Sequence, residues 1–168
     1  MSVDIKLDKR LWADIVKRIS EPVDLRVGIL GNAAAAPHDA QSKAKARRRA
    51  TIVQIAATHE FGDRKRGIPM RSFLRAGIRS KQGELKNFIL RLARNIAIGK
   101  IDIKQAHELL GIWGATTVKN YVKLGAYLKP ALKHATIARK KSSRPLVDTG
   151  QLINAVSYDL NGIAGKVL

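Results

Sequence analysis

Apolar residues recur along this chain with two periods, which predict both helices and strands. Between residues 5 and 20 the large apolar side chains fall on one stripe at helical spacing, and Pro22 ends this predicted amphipathic helix. The stripe consists of Leu7, Leu11, Ile15 and Ile19. Residues 23–30, VDLRVGIL, instead have the composition of a strand, and Gly31-Asn32 predicts the turn that follows it.

Helical spacing returns after residue 50. Residues 51–62 predict a helix with Gly62 at its C-terminal end, and residues 68–78 predict a segment whose apolar side chains face inward. A long helix with one apolar face is expected next, carrying Leu85, Phe88, Ile89, Leu92 and Ile96. Asp102 is predicted to cap a further helix that ends near Tyr121, although two glycines weaken its middle.

The end of the chain returns to alternation. Residues 154–160, NAVSYDL, alternate as a strand, and Asn161-Gly162 is a strong two-residue hairpin signal. Residues 163–168 then predict the returning strand. We therefore expect an α+β fold, in which strand 23–30 and the C-terminal hairpin form a small antiparallel sheet packed against several helices. Residues 1–168 are interpreted as one domain.

Two segments predict no regular core element. Residues 33–50, AAAAPHDAQSKAKARRRA, contain no large apolar side chain and are interpreted as a basic loop or arm. Its basic residues are Lys43, Lys45, Arg47, Arg48 and Arg49. Residues 124–147 contain two prolines and predict a looser region with a short helix near residues 133–140.

Charge and composition narrow the classes of function. The 168 residues include 32 Lys+Arg against 13 Asp+Glu, a net charge of +19, and segments 40–59, 64–83 and 109–147 contain no acidic residue. Such a surface favours nucleic acid or an acidic protein, or is merely solvated. Without cysteine the chain has no disulfide and no thiolate chemistry. The charged start and the lack of a long apolar run predict a soluble protein made in a cytoplasm, without a membrane segment.

The triplet Asp148-Thr149-Gly150 raises the question of an aspartic protease, whose paired carboxylates share one proton. Too little chain follows Gly150 to build a substrate cleft. The spacing of Asp148 and Gln151 matches a capping box, in which each residue bonds to the backbone N–H of the other. We therefore predict that Asp148 caps a short helical turn carrying Leu152, and that it is not catalytic.

Metal and cofactor sites are not predicted. The His-Glu pairs at His59 and His107 lack the second histidine four residues later that a zinc-binding helix needs. The chain also lacks a glycine-rich phosphate loop and a nucleophile elbow. Aromatic residues form only 5% of the chain, so a platform that stacks on bases is not expected. Any bound DNA is expected to be contacted through its phosphates, without sequence preference.

Three stretches carry a family resemblance. IAATHEFGDRKRGIPMRSFLRAGI (residues 55–78) resembles the helix, glycine, basic turn, Ile-Pro and Phe-Leu pattern of small phage tail-completion and neck proteins. RPLVDTGQLINAVSYDL (residues 144–160) is similar to the Pro-Leu-(apolar)-Asp-Thr-Gly-(Gln/Arg)-Leu signature of the same proteins, and LRVGILGNA (residues 25–33) fits their first strand. The family includes minor tail protein Z of phage lambda.

This resemblance implies a non-enzymatic virion protein that completes the head-proximal end of the tail and joins it to the head. It implies a ring of copies, for example a hexamer, that contacts tail terminator or tube protein on one side and head-completion or connector protein on the other. Packaged DNA could be contacted through phosphates. The protein would be made in the host cytoplasm and reside in the virion. The alternative is a sequence-independent DNA-binding protein.

The same resemblance divides the motif residues into two groups. The first is expected to be structural, with Phe61, Ile68, Phe73 and Leu74 in the core. It comprises Phe61, Gly62, Ile68, Pro69, Phe73, Leu74, Pro145, Leu146, Asp148, Thr149, Gly150, Gln151 and Leu152. The second is expected to be exposed and to contact DNA or a partner. It comprises Arg64, Lys65, Arg66, Arg71 and Arg75, with the five basic residues of the arm.

Overall fold

The computed structural model describes residues 9–36, 50–125, 129–132, 134, 137–138, 146 and 150–165. Helices and strands follow one another along these ranges. They are α1 (Lys9–Ile19), β1 (Leu25–Ile29), α2 (Gly31–Ala35), α3 (Ile52–Phe61), α4 (Leu74–Ser80), α5 (Gln82–Ala97), α6 (Ile103–Leu124), α7 (Gln151–Asn154), β2 (Val156–Leu160) and β3 (Ile163–Gly165). Of the basic arm predicted at residues 33–50, residues 37–49 lie outside the described residues.

The three strands form one antiparallel sheet in the order β1-β2-β3, which confirms the predicted α+β fold. Leu25 pairs with Leu160 and Ile29 pairs with Val156, so the sheet joins distant parts of the sequence. Asn161 and Gly162 form the turn between β2 and β3 with φ angles of 52° and 83°. Positive φ at both positions is the geometry that this dipeptide favours in hairpins.

Helix α6 packs against one face of the sheet. Asp102 caps the helix as predicted, since the Gln105 N–H donates to Asp102 Oδ1 at 2.7 Å. Gln105 completes a capping box that was not predicted, because its Oε1 accepts from the Asp102 N–H at 3.1 Å. The helix runs past the predicted end to Leu124, where Gly125 adopts a left-handed conformation. A hydrophobic core forms between α6, the sheet and α4, and its fully buried large side chains are Phe73, Val118, Val122 and Val156.

The two glycines of α6 bring the helix close to the sheet. A Cβ atom at Gly111 would lie 2.6 Å from Cδ2 of Tyr158, and one at Gly114 would lie 3.1 Å from Cγ2 of Val27. Because these glycines have no side chain, the Tyr158 ring of β2 and the Val27 side chain of β1 pack directly against the helix. The helix continues through both positions because this packing outweighs the lower helix propensity of glycine.

Helix α1 differs from the prediction in its burial. The helix forms, but none of its residues is buried, and Leu11 and Trp12 are more than half exposed. It lies against α5, where the Arg18 guanidinium donates to the Ala97 carbonyl at 3.4 Å. A second apolar cluster joins α5 to the start of α6 and is made of Leu92, Ile96, Ile103 and Ala106.

Two further predictions are adjusted. Gly31–Ala35 forms the short helix α2, where a turn and the start of a loop were expected. The predicted helix near 133–140 falls largely outside the described residues, although residues 134, 137 and 138 within it are helical.

Candidate functional site: the basic turn and the Glu60 network

The basic turn, residues 62–68, is a tight hairpin. The N–H groups of Asp63 and Ile68 each donate to the other residue's carbonyl at 2.8 Å. Inside the turn, the Arg66 N–H donates to Asp63 Oδ1 at 3.1 Å, and the Gly67 N–H donates to the Arg64 carbonyl at 3.2 Å. The backbone of the turn is therefore held by four hydrogen bonds of its own.

Gly62 joins α3 to this turn and can only be glycine without strain. Its φ of 77° and ψ of 167° lie in a region that residues with a Cβ atom hardly enter. A Cβ atom there would also lie 2.9 Å from the Met70 backbone nitrogen and 3.2 Å from the Ile68 carbonyl oxygen. The predicted role of Gly62 in permitting the turn is thus consistent with its geometry.

Glu60 fixes the other side of the turn through a hydrogen-bond network. Its side chain is only 4% exposed. The backbone N–H groups of Phe73, Leu74 and Arg75 donate to its carboxylate at 2.7, 3.0 and 3.3 Å. The Ser72 hydroxyl donates at 2.8 Å and Arg75 Nε at 2.9 Å. We call these groups the Glu60 network; they tie the end of α3 to the start of α4.

The network keeps the Glu60 carboxylate charged. Burial alone raises the pKa of Glu60, but the hydrogen bonds from the Arg75 side chain, the Phe73 N–H and the Ser72 hydroxyl outweigh it. The net effect is that the pKa lies below its ordinary value. A buried carboxylate with this many donors serves as a structural anion and has no proton to give near neutral pH.

Arg75 links the network to the surface. Its guanidinium pairs with Glu60 at 2.9 Å, and Cζ lies 4.8 Å from the centre of the Phe61 ring. The side chain is 58% exposed, so the predicted exposure is correct. Its charge is nevertheless compensated by Glu60, which makes Arg75 a weaker candidate for contact with phosphate than the residues of the turn.

The prediction that Phe61 packs in the core is wrong. Phe61 is 65% exposed, and Glu60 occupies the inward position instead. Met70, on the other side of the turn, is 56% exposed. The reason is the helical spacing, because Ile52, Ala56 and Glu60 repeat at four-residue intervals on the buried face of α3. Two large apolar side chains therefore flank the basic turn at the surface.

The prediction that Arg71 is exposed is also wrong. Arg71 is buried, with 8% exposure. Its Nε donates to the Pro130 carbonyl at 2.8 Å and a terminal nitrogen donates to the Ala131 carbonyl at 3.4 Å. Burial lowers the pKa of this guanidinium. Arg71 thus holds the region around Pro130 against the motif.

The remaining motif residues divide as follows. Phe73 is fully buried as predicted, and Leu74 packs against the core while staying partly exposed. Ile68 is only half-buried, since it pairs across the turn, and Pro69 is exposed. The tip of the turn is exposed, and within it Arg66 Nε lies 3.5 Å from Asp63 Oδ2. Arg64, Lys65 and Arg66 therefore form the accessible basic group.

The second motif is described only in part. Helix α7 begins at Gln151, with Gly150 as its N-cap in a left-handed conformation (φ 78°). The helix therefore starts later than a cap at Asp148 requires. Leu146 and Leu152 are buried as structural residues should be, and Leu146 has a φ of 62°. Pro145, Asp148 and Thr149 lie outside the described residues, as do Lys43, Lys45, Arg47, Arg48 and Arg49.

Glu60 was not among the site residues predicted from the sequence. The sequence carried a signal for it, because Glu60 continues the stripe of Ile52 and Ala56, and an acidic residue on a buried stripe requires donors. Within the described residues, no group of three or more His, Asp or Glu side chains is arranged to hold a metal ion. None of the described helices is long and apolar enough to span a membrane.

Comparison with known proteins adds no relative. No family model, no curated protein and no solved structure matches this chain. The geometry therefore defines the class of site by itself: an exposed basic hairpin, flanked by two exposed apolar side chains and anchored by a buried carboxylate.

Proposed function

We propose that this chain is a structural virion protein of a tailed phage, which completes the head-proximal end of the tail and helps to join the tail to the head. The resemblance of residues 55–78 and 144–160 to tail-completion and neck proteins supports the proposal. The observation that carries it is the basic turn, which presents Phe61, Met70 and three basic side chains on a rigid support. The proposal involves no catalytic step.

The surface has the composition of a protein interface. Aromatic residues, methionine and arginine are enriched where proteins bind one another, and charged rims set the choice of partner. The Glu60 network and the hydrogen bonds of the turn fix the backbone segments that carry these side chains before binding. Such preorganisation reduces the entropy that is lost on association.

The proposed partners follow from the resemblance. Copies of the chain assemble into a ring, for example a hexamer. The ring contacts the tail terminator or tube protein on one side and head-completion or connector proteins on the other. The charge of +19 suits a place beside packaged DNA, whose phosphates it would neutralise in part.

The proposal is tested by complementation of phage assembly. An extract of the phage that lacks this protein should accumulate separate heads and tails, and the purified protein should restore joined particles in electron micrographs. Phe61→Ser should reduce the yield of joined particles strongly while leaving the fold intact by circular dichroism, since Phe61 is 65% exposed.

Leu124→Ser is the matched control, because Leu124 is 67% exposed at the end of α6, far along the chain from the turn. It should restore joining as well as the unaltered protein does. Joined, infectious particles in the extract without the protein would contradict the proposed function. Equal yields of joined particles with Phe61→Ser and Leu124→Ser would show that the surface of the basic turn is not required for joining.

A sequence-independent DNA-binding protein is the second candidate. The exposed side chains of Arg64 and Lys65 favour it, because they can reach a phosphate backbone from the tip of the turn, whereas Arg66 pairs with Asp63. The low aromatic content favours phosphate contacts over stacking on bases.

A further inference from the structure

Strand β1 lies at one edge of the sheet, and its outer backbone groups have no partner within the described residues. The Asn161 N–H donates to the Asp24 carbonyl at 2.9 Å, which sets the phase of the β1–β2 ladder. Backbone groups of an antiparallel pair point alternately toward and away from the partner strand. The N–H and C=O groups of Leu25, Val27 and Ile29 therefore point outward, and no described residue bonds to them.

A groove of about 480 Å³ adjoins this edge. It lies between β1 and α4, above α6, and none of the described residues of β2 or β3 lines it. Its walls are mainly apolar and include Val27, Leu74, Ile78, Leu85 and Val118. Free strand edges and apolar grooves are the two features that domains use to bind an extended peptide as an added strand.

The charges around the groove indicate the sign of the partner. Arg75 and Arg79 line it, and no acidic side chain does so within the described part of the chain. Arg75 is compensated by Glu60, whereas Arg79 forms no ion pair with a described residue. Arg79 also lines a second groove beside Met70, so its charge stands between two surface depressions.

We propose that the outer edge of β1 and this groove bind an extended segment of an acidic partner protein. The segment adds a fourth strand to the sheet through the backbone groups of Leu25 and Val27. One of its apolar side chains enters the groove, and an acidic neighbour pairs with Arg79. The partner's backbone supplies the affinity, and its side chains supply the selectivity.

Charge and backbone chemistry favour an acidic protein segment over a second copy of the chain or DNA at this edge. A second copy of the chain carries the same +19, so edge-to-edge pairing of two copies brings like charges together. DNA offers phosphates but lacks the alternating donors and acceptors of a strand. The inference concerns a surface separate from the basic turn and stands independently of the proposed virion function.

The test uses the full chain and a synthetic peptide of alternating valine and glutamate as the probe. Amide hydrogen exchange should show new protection at Leu25 and Val27 when the peptide is added. The amides of Arg26 and Gly28 face β2 and should be protected before and after. Arg79→Glu should weaken peptide binding about tenfold, because attraction becomes repulsion. Lys86→Glu makes the same charge change on the exposed face of α5 and should have little effect.

A peptide N-methylated at every residue keeps its side chains but cannot donate backbone hydrogen bonds, so it should not bind. Failure of the unmethylated peptide to bind, or equal binding of the methylated one, overturns the proposal. Protection of the Leu25 and Val27 amides in the free chain would mean that the edge is already occupied. Protection that rises with protein concentration alone would assign the edge to a second copy, and protection by duplex DNA would assign it to nucleic acid.

Discussion

The Glu60 carboxylate accepts hydrogen bonds from three consecutive backbone N–H groups at the start of α4. A helix N-terminus leaves such groups without intrahelical partners and favours negative charge. Phe73, the residue at the N-cap position, has no side chain that could accept them. Glu60 therefore caps α4 from a different helix, which is why its replacement should affect two elements together.

Glu60→Gln should lower the free energy of unfolding by about 1–3 kcal/mol, because the amide nitrogen of glutamine would face donors that need an acceptor. Urea unfolding at neutral pH measures this. Glu84→Gln is the control, since Glu84 is 62% exposed and pairs with Lys81; it should change stability by less than about 0.5 kcal/mol.

The stabilisation by the Glu60 carboxylate should decrease in acid. The pKa of Glu60 is lower in the folded chain than in the unfolded chain, so the stabilisation is complete above the unfolded value of about 4.3. It is lost as the pH falls through the folded-state pKa. Unfolding measured over a pH series should therefore show the wild-type and Glu60→Gln curves converging in acid. A constant difference at all pH values would contradict this assignment.

The two glycines of the basic turn should differ in their tolerance of alanine. Gly62→Ala combines a disallowed backbone conformation with a contact at 2.9 Å and should cost about 3 kcal/mol or more. Gly67 also has a positive φ, 65°, but a Cβ atom there meets nothing within 4 Å. Gly67→Ala should therefore cost only about 1–2 kcal/mol. Thermal unfolding of the two variants measures their loss of stability. An equal loss in both would contradict a steric cost from the contact at position 62.

At the scale of elements, α6 approaches the sheet closely because Gly111 has no side chain. Gly111→Ala should destabilise the protein by about 1–3 kcal/mol, because its Cβ would overlap the Tyr158 ring. Gly83→Ala in α5 is the matched control, since nothing lies within 4 Å of that position. It should stabilise by about 0.4–1 kcal/mol through the unfolded chain. Denaturant unfolding that gave both variants the same sign would contradict the packing argument.

The periodicity of apolar residues predicted where most helices and strands lie, but it did not predict correctly which side chains of the motif are buried. The apolar stripes located α3, α5 and α6, and the turn signal at Asn161-Gly162 located the hairpin, since both signals are local. Phe61 and Arg71 were assigned to the wrong sides because hydrophobicity alone does not set the phase of a short segment. Their positions depend on the bonds of Glu60 to residues 72–75 and on those of Arg71 to residues 130 and 131, which are contacts between separate segments.

At the scale of the whole molecule, a net charge of +19 makes association with DNA strongly salt-dependent. If the basic turn contacts phosphate, Lys65→Ala should reduce the slope of log affinity against log salt concentration by about 1. Lys104→Ala should leave the slope unchanged, because Lys104 is already paired with Glu21 at 3.0 Å. Titrations of duplex DNA at several salt concentrations decide this, and an unaltered slope for Lys65→Ala would exclude the turn from DNA contact.

The pairing of Leu25 with Leu160 also sets an order of events during folding. The Glu60 network closes a short stretch of chain, whereas β1 must find a strand near the other end of the sequence, which carries a larger entropic cost of loop closure. On the ribosome, β1 cannot pair with β2 until helices α2 to α7 and β2 itself have emerged. Pulse-labelled hydrogen exchange during refolding should thus protect the Phe73 amide before that of Gly28, so the sheet edge available to partners is completed last.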